Sequence, residues 1–265
     1  MYLCSILFKQ KVEKIRLDIL LAEKNIAGQT LSRSKASSLI IEGKVLVNGK
    51  VCSKPGTPTN ITSDIKLLEP ANPYVSRGGV KLKGALIDFN INVGGYIALD
   101  VGASTGGFTD CLLKNGCKLV YCVDVGYGQL DYNLRNNKNI INYEKTNIKD
   151  IGFDKIKEKV DICVIDASFI SLEKVLPHAV KFLKDEGIIL ALIKPQFETG
   201  NKKFLKKGIV KDETIYESII SGIIESSKKI GLQSLGVKKS CIKGKKGNTE
   251  FFIHLIKTTG EPLQI

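Results

Sequence analysis

The chain has 265 residues, 43% hydrophobic and 25% charged, with 40 Lys/Arg against 27 Asp/Glu and a formal net charge of +13. That length holds one full α/β domain plus a small module, or two modest domains, and the composition excludes a disordered, collagen-like or disulfide-scaffold chain. The basic excess points to a polyanionic partner, either nucleic acid or an anionic membrane surface.

Residues 1–70 carry 11 Lys/Arg and 6 Asp/Glu, more net charge per residue than the rest. Arg16-Leu17-Asp18-Ile19-Leu20-Leu21 places its apolar residues at helical spacing. Thr30-Leu31-Ser32 offers N-cap hydroxyls for a second helix through Ile41, which Gly43 ends. Residues 44–51 then read as strand, Asn48-Gly49 turn and strand, because both turn residues tolerate the positive φ of a type I′ hairpin. Arg33, Lys35, Lys44 and Lys50 gather on this helix and hairpin, either as a solvated basic face or as phosphate contacts. Two prolines within Glu69-Pro70-Ala71-Asn72-Pro73 interrupt helix and central strand alike. The expected organisation is a domain at 1–69, a linker at 70–75 and a second domain at 76–265.

In the second domain, residues 96–102 form an apolar strand that runs into Ala103-Ser104-Thr105-Gly106-Gly107-Phe108 and a helix at about 109–115. Strands are also predicted at 118–124, ending in Asp124, at 160–166 and at 187–194. Strands alternating with helices argue for a doubly wound, mostly parallel sheet, which binds ligands beyond its strand C-termini. A glycine-rich turn lets backbone approach a ligand closely, and an acid about 20 residues later can accept from ribose hydroxyls; Gly102 and Asp124 fit that spacing. The glycines run G-x-x-x-G-G rather than the G-x-G-x-x-G of dinucleotide sites. Four charged residues stand out. Lys81 follows the linker, Asp166 and Lys194 end apolar strands, and Glu250 enters the last strand. Neighbouring parallel strands would set Asp166 and Lys194 side by side at the ligand edge.

No apolar run reaches the roughly 18 to 20 residues that span a bilayer, so integral membrane association is not expected. The lysines near the start follow the apolar residues 1–8, and no small-residue cleavage site comes after them, against the order of a secretory signal. Seven cysteines without a Cys-x-x-Cys pair read as small apolar core residues in a reducing cytosol, and a cytoplasmic location is expected. His178 and His254 lie far apart with no metal-ligand spacing, so no metal is expected.

The front pattern of Arg16-Leu17-Asp18, Leu31-Ser32-Arg33-Ser34-Lys35-Ala36 and the stretch from Ile41 to Gly49 resembles a small RNA-binding domain. That domain was first described in a ribosomal small-subunit protein and is shared by pseudouridine synthases and tyrosyl-tRNA synthetases. The resemblance implies that Arg16, Ser32, Arg33, Lys35, Lys44 and Lys50 meet RNA backbone, a source of affinity rather than sequence reading.

The D-V-G-A-S-x-G-G-F wording with Asp124 on the next strand looks like a class I S-adenosylmethionine pocket, and the order Lys81, Asp166, Lys194, Glu250 resembles the tetrad of FtsJ-type ribose 2′-O-methyltransferases. From about residue 15 to 257 the chain resembles the TlyA, or haemolysin A, family. The resemblance implies a small N-terminal α+β RNA-binding domain followed by a class I Rossmann-like methyltransferase domain. It implies transfer from S-adenosylmethionine to the ribose 2′-hydroxyl of cytidines in ribosomal RNA, with ribosomal subunits as partners. Cofactor contacts would fall on Gly102, Ser104, Gly106 and Phe108, on Asp124 for the ribose, on Asn147 or Asp150 for the adenine end, and on Asp166. Lys194 is the candidate base, oriented by Lys81, Asp166 and Glu250. Many members carry a basic residue and Trp in the linker, where this chain has Asn72-Pro73-Tyr74-Val75. Two other readings are a membrane-active protein, as the older family name has it, and a catalytically inactive RNA-binding assembly factor. The first lacks any long amphipathic stretch with aromatic anchors; the second leaves the intact tetrad unexplained.

Overall fold

A computed structural model describes residues 13–24, 31–68, 72–210 and 212–259. Thr30, one of the N-cap candidates, residue 69 at the end of the expected first domain and residues 70–71 of the expected linker lie outside them. The chain separates into two compact units, Met1–Ala71 and Asn72–Ile265.

The first unit runs β1 (Lys14–Arg16), α1 (Leu17–Glu23), α2 (Arg33–Ile41), β2 (Val45–Val47), β3 (Lys50–Cys52), β4 (Pro58–Asn60) and β5 (Ile65–Leu67). Ser32 caps α2, its side chain accepting from the Lys35 amide. The β2–β3 hairpin turns through Asn48 (φ 50) and Gly49 (φ 77), both left-handed as a type I′ turn requires. β5 pairs on the other side of β2, and β1 pairs with β4. Leu17, Leu21, Ile40 and Val45 are fully buried between the helices and the β2 sheet. Each such side chain stabilises the module by about 1.5–3 kcal/mol.

The second unit comprises α3 (Arg77–Asp88), β6 (Ile97–Val101), α4 (Gly107–Lys114), β7 (Leu119–Val123), α5 (Tyr132–Arg135), β8 (Ile140–Tyr143), β9 (Val160–Ile165) and α6 (Leu172–Ala179). It continues with β10 (Leu183–Ile193), α7 (Pro195–Glu198), β11 (Leu205–Lys206), β12 (Ile209–Val210), α8 (Ile215–Lys229), β13 (Leu232–Lys239) and β14 (Phe251–Lys257). Seven strands form one sheet in the order β13-β14-β10-β9-β6-β7-β8. The pairs from β10 to β8 are parallel, and β14 runs antiparallel to both its neighbours. The sheet is buried on both faces. Leu99, Val101, Cys163 and Ile165 face one core, while Ala98, Ile162 and Val164 face the other, which also holds Phe108 and Leu112 of α4. This two-sided burial is why the strands read as continuous apolar runs.

Strand β10 begins four residues earlier than its apolar pattern predicts. Leu183 pairs with Val160, then the register shifts before Ile188 meets Ile162. The polar residues Lys184, Asp185 and Glu186 occupy the irregular stretch and stay exposed, so they carry no apolar signal.

Candidate active site

After β6 the chain runs outward to β7 and β8 and then returns to β9 on the other side of β6. That reversal is the topological switch point of a doubly wound sheet, where a crevice opens beyond the strand C-termini. Val101 pairs with Ile165 as the last rung, and the Asp166 amide donates to the Val101 carbonyl at 3.0 Å. Gly102 follows with φ 84, and a side-chain carbon there would lie 2.9 Å from the Asp166 carbonyl oxygen. Only glycine allows the two strand ends to approach this closely.

Two adjoining cavities occupy the crevice and share Gly102, Ser104, Asp166 and Ser168 in their walls. The larger, about 390 Å³, has apolar walls from Val101, Val123, Ile148 and Ile170 with Asp124 and Asn147 among its polar groups. Its size and mixed lining match a small-molecule site, and its polar groups suit an adenosine. The smaller, about 170 Å³, lies between the glycine-rich loop with Phe108 and the Asp166–Lys194 pair, and Ser76 and Gly78 close it. Asp150 is exposed and outside both linings, because it sits past the turn that buries Ile148. Gly106 is not in either wall; its φ of 90 turns the loop into α4.

Asp124 anchors the loop. One carboxylate oxygen accepts from the Ser104 amide and the other from the Gly126 amide, each at 2.7 Å. Each oxygen keeps a second lone pair, so the group can still accept from a ligand hydroxyl. The Asn147 side chain accepts from the Lys149 amide at 3.2 Å.

The four charged residues form two ion pairs, one buried and one with its carboxylate partly exposed. Lys81, on α3, meets Glu250 at 2.6 Å, with the two side chains only 11% and 4% exposed. Lys194 meets Asp166 Oδ1 at 2.6 Å and donates to Ser168 Oγ at 2.8 Å and to the Asp166 carbonyl at 3.3 Å. The Asp166 Oδ1 contact is a charge pairing outside hydrogen-bond geometry, since that oxygen has no hydrogen-bond partner. The pairs are neighbours by register. The last antiparallel rung joins Ile193 to Phe251, and one step beyond it stand Lys194 and Glu250. Lys194 is thus held by Asp166 and Ser168 in the wall of the smaller cavity, where a substrate hydroxyl could be oriented.

Sequence reading missed Ser168, the direct partner of Lys194, and the buried Asp100. The signal for Asp100 was an acid inside an otherwise apolar strand. Its Oδ2 accepts from the Thr109 hydroxyl at 2.6 Å, and its Oδ1 has no partner. Burial pushes its carboxyl up to about 7; the Thr109 bond opposes this, and repulsion from Asp166 and Asp124 adds to it. A folded-state value above the unfolded one means the protonated acid favours folding. That contribution is complete below about pH 4 and is lost as pH rises through about 7. Asp100→Asn cannot ionise, so its stability relative to the parent should shift upward by roughly 4 kcal/mol at most between those limits, at ~1.4 kcal/mol per pH unit. Urea midpoints of both proteins across that range check this, and a constant difference would refute an ionising Asp100.

In the first unit, Arg16 and Arg33 both bond the buried Asp18, with contacts of 3.0 Å. The Arg16 hydrogen bonds and then Arg33 hold the Asp18 carboxyl well below the usual carboxylate range, against the effect of burial. Both arginines remain more than half exposed. Arg33 ties α2 to α1 through Asp18, and both arginines still present free donors. Ser32 Oγ serves the cap of α2, Lys35 is half-buried, Lys44 pairs with Glu42 at 3.3 Å, and Lys50 is exposed.

Residues 74–257 match the FtsJ-like methyltransferase family, and residues 15–61 match the S4 domain. A Brachyspira hyodysenteriae protein named Hemolysin A is 41% identical over 230 residues, spanning 86% of this chain and 95% of its own. The Mycobacterium tuberculosis protein named 16S/23S rRNA (cytidine-2′-O)-methyltransferase TlyA is 38% identical over 251 residues, spanning 94% and 92%. Among solved structures, a Streptococcus thermophilus protein described as a hemolysin superposes with a TM-score of 0.72 at 37% identity, covering 96% of this chain and 92% of that one.

Proposed function

The chain belongs to the FtsJ-like methyltransferase family, and from that premise we propose that it methylates the ribose 2′-hydroxyl of cytidine in ribosomal RNA, in the cytoplasm, using S-adenosylmethionine. The observation that carries the reading is the Lys194–Asp166 pair in the wall of the smaller cavity, beside a larger one of about 390 Å³, with the Lys81–Glu250 pair one strand over by register. The relative named as a ribosomal RNA cytidine 2′-O-methyltransferase supports the substrate. Among the described residues no helix is long and apolar enough to cross a membrane.

Residues 76–265 are the catalytic part in this reading, residues 1–69 the RNA handle and 70–75 the linker. When bound, S-adenosylmethionine would supply an electrophilic methyl group on its sulfonium, whose S–C bond breaks to leave the neutral thioether S-adenosylhomocysteine as the C–O bond forms. Asp124 would hold the cofactor ribose, Asn147 the adenine end and the 102–108 loop the remainder. Lys194 takes the 2′-hydroxyl proton once its own ammonium proton has passed to solvent. Asp166 and Ser168 fix its direction, and the Lys81–Glu250 pair braces the adjoining strand. Aligning the hydroxyl with the methyl supplies rate through orientation. In the first unit, Lys35, Lys44, Lys50 and the free donors of Arg16 and Arg33 contact phosphates, with Ser32 at the start of α2.

The test is transfer of labelled methyl from S-adenosylmethionine to purified 30S and 50S ribosomal subunits, followed by alkaline hydrolysis. A 2′-O-methyl removes the nucleophile that cleaves the adjacent phosphodiester, so the label should appear in an alkali-resistant dinucleotide with cytidine at its 5′ side. Label on a nucleobase, or no transfer to either subunit, overturns the proposal.

A further inference from the structure

Two lysine-rich segments extend from the strands that carry the ion pairs. Beyond Lys194 and α7, residues 201–208 hold Lys202, Lys203, Lys206 and Lys207 around the β11–β12 hairpin. Ahead of Glu250, residues 243–247 hold Lys243, Lys245 and Lys246. Neither segment contains an acid. Lys203, Lys206, Lys207, Lys245 and Lys246 are exposed, and among the described residues none of them has an ion-pair partner.

The two segments are fastened to each other. Asn248 is buried, its Oδ1 accepting from the Val210 amide and its Nδ2 donating to the Gly208 carbonyl, each at 2.9 Å. The Lys246 ammonium reaches the hairpin turn, 3.7 Å from where a side-chain carbon on Gly208 would stand. The loop is also fastened to the site. Arg77 at the start of α3 donates to the Lys243 carbonyl at 2.7 Å, and any side chain at Gly244 would collide with the Glu250 carboxylate. Solvated lysines elsewhere on a surface spread apart. Here a buried amide and a glycine contact hold like charges together beside the reacting groups, an arrangement that costs energy until a polyanion neutralises it.

We propose that these two loops form a second RNA-binding surface, a phosphate cradle on the methyltransferase domain that grips the backbone flanking the target nucleotide. It rests on the ribosomal RNA reading above and adds a grip separate from the front module. Each phosphate neutralised releases counterions, so affinity falls with salt in proportion to the contacts made.

The experiment is filter binding of the full chain to protein-free ribosomal RNA between about 50 and 200 mM salt. The variants are Lys206→Gln/Lys207→Gln, Lys245→Gln/Lys246→Gln and, as a matched control, Lys228→Gln/Lys229→Gln. The control pair is exposed at the end of α8, before β13, at the opposite end of the sheet. Each cradle double should flatten the log–log salt slope by about 1.4 and weaken binding about tenfold, given roughly 0.7 per single-strand phosphate. The control should stay within about twofold, and Lys→Arg doubles at the cradle should restore parental binding. Cradle doubles that match the control, with an unchanged Tm, overturn the proposal. Loss of Tm in a Gln double shifts the decision to its Arg counterpart: parental binding there upholds the cradle, and weakened binding overturns it. A parent that binds through the cradle but transfers no methyl would refute the enzymatic reading alone.

Discussion

Lys194→Ala is expected to lower single-turnover methyl transfer by about 10²- to 10⁴-fold, the usual worth of a positioned base. Affinity for S-adenosylmethionine and RNA should change little, because the lost interaction is made mainly in the transition state. Lys194→Arg should fail as badly. Arginine keeps the charge that faces Asp166 and Ser168 but cannot become a neutral base near pH 7. Rates at saturating cofactor and RNA measure both variants. An arginine variant within a fewfold of the parent would make Lys194 an electrostatic guide and remove the proton transfer from its role.

Glu250→Ala should destabilise the second unit by roughly 3–5 kcal/mol, because it leaves the Lys81 ammonium buried without its carboxylate. In a domain of this size that corresponds to a fall in Tm of roughly 6–20 °C. Lys81→Met/Glu250→Leu should recover most of the stability, since a buried pair replaced by apolar groups of similar volume is often neutral. The double variant then separates structure from chemistry. If it melts like the parent but transfers methyl slowly at unchanged KM for RNA, the pair positions Lys194 across the β10–β14 rung. If it transfers methyl at the parental rate, the pair serves folding alone. A Glu250→Ala protein as stable as the parent would mean that Lys81 finds another partner or water, and the buried-pair argument would fail.

Much of this molecule could be read before any coordinates. The alternation of apolar runs with glycine-rich turns carries the doubly wound sheet, since strands buried on both faces need apolar residues at every position. Asn48-Gly49 specifies its turn because the backbone requirement is local. The spacing from Gly102 to Asp124 places the acid beside the loop, and its bond to the Ser104 amide follows from neighbouring parallel strands. Asp166, Lys194 and Glu250 were conspicuous because each stands at the end or the start of an apolar strand.

What the chain pattern could not decide was partnership. Lys81 and Glu250 are 169 positions apart, and only the pairing of β14 beside β10, together with the packing of α3, makes them one ion pair. Ser168 reads as an ordinary turn residue until the β9 and β10 ends converge and place it 2.8 Å from Lys194. The β10 extension through Lys184–Glu186 was invisible because an irregular, solvent-facing stretch obeys no periodicity. Arg33 reads as basic surface and Arg16 as an RNA contact by resemblance, yet the fold turns both toward one buried carboxylate. Local propensity and burial pattern are properties of short windows, so the sequence by itself determined the four central parallel strands, the Asn48-Gly49 turn, the glycine loop and the class of chemistry. Charge pairing and the fastening of the two lysine loops by Asn248 depend on contacts between distant segments, which exist only once the sheet order has closed.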